Sequence, residues 1–298
     1  MPALADPARF DPSAIAALGR LDLKAKIIAD GLLQGIHPSR KKGFSSEFAD
    51  FKAYTPGDDL RHLDWKVYAR SERLFVKQAE SETNIEVALL LDASPSMAWR
   101  WQATVSKLEY AVNLLATLAY LHLRQQDQVG LLVHDARELH ALPPRSRRRH
   151  LDEIFATLGK IEPAGTETVS HLARGVDTLI RRKGHVVLCS DLLEDEEASG
   201  AALKLLGARE DEVILFHLLD EAEVTLPFDR ATHLRDSETG ELMPVDIAAL
   251  RKDHAETVAG LREHWAGVCR GLGIHYIPLT TATNYVEALR LLLDVRAV

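Results

Sequence analysis

From residue 85 onward the chain alternates two hydrophobic patterns. Short runs that are apolar at nearly every position (85–92, 128–134, 185–190, 212–219 and 273–279) read as strands buried on both faces. Between them lie segments with apolar residues at i, i+3, i+4 and i+7. The clearest cover 107–125, with Leu108, Ala111, Val112, Leu115, Leu118 and Ala119, and 168–182, with Val169, Leu172, Ala173, Val176, Leu179 and Ile180 before Gly184 stops the pattern. Shorter or weaker helical segments fall near 150–158, 200–206, 246–270 and 285–293. Strands without a polar face, separated by helices, need cover on both sides of one sheet. The pattern therefore predicts an α/β fold with a doubly wound, mainly parallel sheet of Rossmann type.

Two regions depart from the alternation. Residues 222–246 carry the turn pair Thr239-Gly240 between short extended runs and read as an inserted β-hairpin. The first 83 residues begin with one or two short helical stretches before Gly35. From Gly43 to Thr83 they become polar yet aromatic, with Phe44, Phe48, Phe51, Tyr54, Trp65, Tyr68 and Phe75, too many rings for a disordered linker. The expected organisation is an N-terminal lobe over 1–83 that packs onto an α/β domain over 84–298.

Composition narrows the function classes. The 298 residues include 36 Lys and Arg against 44 Asp and Glu, a net charge of −8 that disfavours bulk affinity for nucleic acid. Two basic runs, 39–42 and 145–149, lack interleaved aromatics and read as solvated surface. No apolar stretch approaches the roughly 18–20 residues of a membrane-spanning helix. The first ten residues have no basic or apolar leader pattern, so a cytoplasmic location is expected. Cys189 and Cys269 stand in no ligand spacing and are expected to be buried apolar side chains.

The strand 85–92 runs directly into Asp92-Ala93-Ser94-Pro95-Ser96. Alternate residues of an extended segment share a side, so Asp92, Ser94 and Ser96 can present one carboxylate and two hydroxyls together. That is a hard-oxygen set suited to Mg²⁺ or Mn²⁺. Loops leaving the carboxyl ends of neighbouring strands meet in one crevice. Asp191, after the strand 185–190, and the hydroxyl-bearing turn 163–168 are expected there too. Glu194, Asp195, Glu196 and Glu197 could supply a general base for a Mg²⁺-dependent phosphoester hydrolase, although acidic residues ahead of a helix also favour its positive end. The chain has no GxSxG, HExxH or Walker A motif. A metal-free structural scaffold is the third reading.

With these residues in hand, the sequence resembles the von Willebrand factor type A fold and its metal-ion-dependent adhesion site, written D-x-S-x-S, then a Thr, then an Asp after a core strand. The resemblance implies Asp92, Ser94, Ser96, Thr166 (rather than Thr168) and Asp191 as the ion's ligands. Pro95 and Leu192 stand where Gly is commoner. A closer resemblance covers most of the chain: residues 35–70, with the core Gly57, Asp58, Asp59, Arg61, Asp64 and Trp65, look like the signature of a bacterial family catalogued as domain of unknown function fifty-eight. The runs 226–246 and 272–279 resemble it as well. This implies association with MoxR-type AAA+ ATPases. Asp58, Asp59, Arg61, Asp64, Trp65 and Arg70 are expected either to pin the lobe to the body or to form a recognition surface. The combined expectation is a non-enzymatic interaction module that binds Mg²⁺ or Mn²⁺ and serves as adaptor for such an ATPase.

Overall fold

The computed structural model describes residues 7–35, 50–53, 75–78, 85–102, 105–134, 139–165, 168–228, 232–235, 242–245 and 247–296. Helices α1 (Pro12–Ala16) and α2 (Leu21–Gly35) come first, followed by strands β1 (Asp50–Ala53) and β2 (Phe75–Gln78), which pair antiparallel. Next are β3 (Glu86–Asp92), α3 (Lys107–Arg124), β4 (Gln128–His134), β5 (Leu139–Arg145), α4 (Arg148–Leu158), α5 (Thr168–Leu179) and β6 (His185–Ser190). The chain closes with α6 (Glu196–Gly207), β7 (Glu212–Leu219), α7 (Glu221–Thr225), the pair β8 (Thr232–Arg235) and β9 (Leu242–Val245), α8 (Ile247–Gly271), β10 (His275–Thr280) and α9 (Tyr285–Arg296). Among the described residues no helix is long and apolar enough to cross a membrane.

The central sheet has six strands in the order β10-β7-β6-β3-β4-β5, all parallel except the edge strand β5. Counting only these strands in chain order, the sheet reads 3-2-1-4-5-6 from the β5 edge. This is a doubly wound order whose direction of winding reverses between β3 and β6. Val87 through Leu91 in β3 are all fully buried, as a strand with helices on both faces requires. On one face Ala88, Leu90, Val186, Leu188, Val213 and Leu215 meet α5, α6 and the Trp265–Cys269 stretch of α8. The other face is covered by α3, against which α2 and α4 pack.

Three features were not legible as expected. β5 escaped the hydrophobic pattern because it alternates exposed and half-buried positions and contains Pro143 and Pro144, which only an edge strand accommodates. The segment expected to be one hairpin over 222–246 instead opens with α7, and the antiparallel pair spans only Thr232–Val245. The compact units also divide differently from the expected boundary at 83/84: Met1–Gly35 belongs with Ile85–Val298, and Ile36–Asn84 forms the second unit. The reason is the apolar stripe Ala25, Ile28, Ala29 and Leu32 on α2, fully buried where α2 packs against α3. Asn284 adds a hydrogen bond to Asp11, 3.0 Å.

Candidate cation site at the carboxyl edge of the sheet

β3 and β6 are neighbours, so the residues that follow them emerge side by side at the point where the winding reverses, the place such sheets reserve for ligands. Asp92, Ser94, Ser190 and Asp191 are fully buried there, and Ser96 is 5% exposed. Ser94 remains extended (φ −58°, ψ 158°) at the N-cap position of the short 3-10 turn Pro95–Ala98, without a side-chain capping bond. Pro95 occupies the first position of that turn, where its fixed φ and missing N–H are tolerated. The departure from glycine at this position is therefore absorbed locally.

The turn brings the Ser94 and Ser96 hydroxyls into a hydrogen bond of 3.0 Å, one donating to the other. Two oxygens at adjacent corners of an octahedron with bonds of ~2.1 Å stand about 3.0 Å apart, so the pair has the spacing of a Mg²⁺-type ligand edge. Asp92 sits behind them and accepts three hydrogen bonds. Ser94 N–H donates to Oδ1 (2.9 Å), the Thr168 hydroxyl donates to the same oxygen, and the Ser190 hydroxyl donates to Oδ2 (2.6 Å). Burial, reinforced by the charges of Asp191 and Glu194, pushes the Asp92 carboxyl up to about 6 against the pull of the Ser190 and Thr168 hydrogen bonds.

Thr166, the threonine implied by the family pattern, lies outside the described residues. Among the described residues, Thr168 is the threonine that meets Asp92. Its loop is anchored by Ala164 N–H on the Ala93 carbonyl (2.8 Å) and turns at Gly165, whose φ of +103° suits glycine. Glu194 accepts from the backbone N–H of Thr168 at 2.8 Å, capping α5 from a different loop, and lies 2.8 Å from the Thr168 hydroxyl, whose single proton Asp92 and Glu194 must share. Asp195 caps α6 by accepting from Ala198 N–H (2.8 Å), and Glu196 lies 3.1 Å from His264. Two of the four acidic residues considered as a general base, Glu194 and Asp195, thus cap helices, while Glu196 is exposed beside an exposed histidine.

Asp191 is brought to the edge as expected, but its company is not. Its Oδ1 accepts from Leu193 N–H (3.1 Å), while Oδ2 pairs with the Lys107 ammonium at 2.7 Å. Lys107 is fully buried and also pairs with Glu223 Oε1 at 2.7 Å. Burial works to lower the Lys107 amine, but the charges of Asp191 and Glu223 outweigh it, and the net shift is upward: the group is an ammonium. Glu223 is fixed by its other oxygen, which accepts from Asp220 N–H (2.7 Å) in the capping box of α7. Behind Asp191, His217 bridges the Asp191 carbonyl (2.9 Å) and the Tyr276 hydroxyl (2.6 Å). Burial drops His217 to about 4, so it is a neutral ring.

Lys107 and Ser190 were not expected at the site, although the sequence placed them at the start of a helix and the end of a strand. The signal for Lys107 is its position: a lysine directly after the N-cap Ser106 opposes the positive end of the helix and needs a compensating anion. Ser190 is signalled only as a polar residue closing an otherwise apolar strand. Leu192 adopts φ +49°, which explains why glycine is commoner after this aspartate. Asp58, Asp59, Arg61, Asp64, Trp65 and Arg70 lie outside the described residues.

Among the described residues no group of three or more His, Cys, Asp or Glu side chains is placed to hold a metal ion. The donor set is instead rich in hydroxyls and contains no nitrogen or sulfur, which fits Mg²⁺ or Mn²⁺ and excludes a zinc-like site. Among the described residues, the Lys107 ammonium beside Asp191 is a discordant neighbour.

The family described as "Protein of unknown function DUF58" matches residues 50–264. A Mycobacterium tuberculosis protein, "Uncharacterized protein Rv1480", is 31% identical over 280 residues, covering 93% of this chain and 87% of its own length. Among solved structures, a conserved hypothetical protein BatB from Bacteroides thetaiotaomicron is similar with a TM-score of 0.46 and 18% identity, covering 72% of this chain and 100% of its own. The SpRpn10 VWA domain is similar with a TM-score of 0.40 and 10% identity, over 69% of this chain and 93% of that one.

Proposed function

We propose, from the premise that this chain belongs to the DUF58 family and folds as a von Willebrand factor A-like domain, that it is a protein-interaction module whose contact point is a divalent cation held at the carboxyl edge of its sheet. The observation that carries this reading is the pair of Ser94 and Ser96 hydroxyls, 3.0 Å apart and backed by the buried Asp92. Ser94 and Ser96 would hold the ion, with Thr168, Asp92 and Asp191 in support. Thr166 belongs to the proposed set through the family pattern.

An ion bound there supplies a positive charge for a carboxylate of another protein to meet, and because Asp92, Ser94 and Asp191 are fully buried and Ser96 is 5% exposed, partner binding opens the crevice. The protein's own residues orient the two hydroxyls, keep Asp92 from rotating and exclude water from the floor of the crevice. The partner class we propose is the MoxR-type AAA+ ATPase that the resemblance implies, with this chain as adaptor. The hydrolase alternative is weakened by the positions of Glu194 and Asp195, each committed to capping a helix.

The test is capture of a purified MoxR-type ATPase from the same organism on immobilised protein, in Mg²⁺ and in chelator. Capture is expected in Mg²⁺ only, and lost in Ser94→Ala/Ser96→Ala. Equal capture in chelator would contradict the reading.

A further inference from the structure

The buried Lys107 is the feature that the proposed cation site does not require and would not tolerate without consequence. Its ammonium lies 2.7 Å from Asp191 Oδ2, and the remaining oxygen of Asp191 is taken by Leu193 N–H. The Asp191 charge is therefore already neutralised and its orientation fixed before any ion arrives. A divalent cation that takes Asp191 as a ligand, as the proposed site has it, must either share Asp191 with a like charge in a buried setting or displace it from Lys107. Lys107 is itself held from two sides. Besides Asp191 it pairs with Glu223 of α7, and Glu223 is locked by the Asp220 N–H. The positive end of α3, where Lys107 sits, adds to the same repulsion.

We infer that Lys107 is a built-in competitor for the ion: it occupies Asp191, holds the site's affinity for divalent cations low, and links ion entry to the Glu223 anchor of α7. This deepens the cation-site reading and rests on it. It assigns Lys107 the role of a positioning residue that acts through Asp191, with no direct part in holding the ion. Because Glu223, half-buried and still holding Asp220 N–H, loses its cation when Lys107 alone is removed, the informative variant changes both.

The experiment is calorimetric titration of MgCl₂ into the full chain. The proteins are wild type, Lys107→Gln, Lys107→Met/Glu223→Gln, the latter with Asp191→Asn added, and wild type with Ser96→Ala. The expected result is a Kd at least ten-fold lower in Lys107→Met/Glu223→Gln than in wild type, with the gain cancelled by Asp191→Asn. Lys107→Gln, which keeps a hydrogen bond to Asp191 but no charge, should show a several-fold gain and serves should the double variant fail to fold. Wild-type binding that is abolished by Ser96→Ala but unmoved by either Lys107 change overturns the inference and leaves the cation site standing. A gain that survives Asp191→Asn also overturns it. Absence of Mg²⁺ binding in every protein overturns both readings at once.

Discussion

The Ser190 hydroxyl donates to Asp92 Oδ2 at 2.6 Å, tying the last residue of β6 to the last residue of its neighbour β3. The bond does two things. It fixes the carboxylate that backs the serine pair, and it stabilises that carboxylate's charge in a place where burial works against it. Ser190→Ala removes a hydrogen bond to a buried charged group and should cost about 2 kcal/mol. Urea unfolding at pH 7.5 measures this. A loss below about 0.5 kcal/mol would mean that Asp92 is neutral or finds another donor.

Two buried groups give opposite pH dependences in the same window. His217 is lowered from 6.5 to about 4, so below pH 6.5 the unfolded chain takes a proton that the folded one refuses, and stability falls as pH drops towards 4. Asp92 is raised from 3.8 to about 6, so the folded state holds its proton more tightly and stability rises as pH drops from 6 to 4. His217→Gln can still donate to the Asp191 carbonyl and accept from Tyr276, yet it does not titrate. Its stability relative to wild type should increase by up to about 3 kcal/mol between pH 7 and pH 4. Thermal melts across that range check it; parallel profiles for the two proteins would contradict the burial of a neutral His217.

Leu192 is buried in the core while its backbone sits at φ +49°. Leu192→Ala and Leu192→Gly both lose the leucine's packing, about 2–4 kcal/mol. Alanine retains the left-handed strain and glycine does not, so the glycine variant should be the more stable of the two by about 1 kcal/mol, the reverse of the order at an ordinary position. Chemical denaturation of both decides the matter.

The fold was legible where burial is two-sided. Runs such as Val87–Leu91 have no polar face and can only be central strands, which placed β3, β4, β6 and β7 and with them Asp92 and Asp191. β5 was illegible for the complementary reason: an edge strand is defined by its single neighbour, and its two prolines mask it. The α7 helix was readable in principle from Asp220 and Glu223, whose spacing is that of a capping box, but the hairpin pattern just beyond it dominated. At the site, residues on consecutive strand ends could be inferred from topology alone. Lys107 and Ser190 could not, because their roles depend on long side chains and register between strands, neither of which local periodicity records. The family pattern directed attention to Thr166, which lies outside the described residues; the contact between Asp92 and Thr168, the first residue of α5, could not be read from the pattern.

The central claim is that Ser94 and Ser96 form one edge of a hard-cation site. Titration of Mn²⁺ followed by electron paramagnetic resonance tests it without a partner, since bound Mn²⁺ loses the sharp signal of the free ion. Wild type should remove one equivalent from the free signal, with Mg²⁺ restoring it in competition, and Ser94→Ala/Ser96→Ala should remove none while keeping the wild-type thermal transition within a few degrees. Full-strength free Mn²⁺ in the presence of millimolar wild-type protein, or identical uptake by the double variant, would contradict the account.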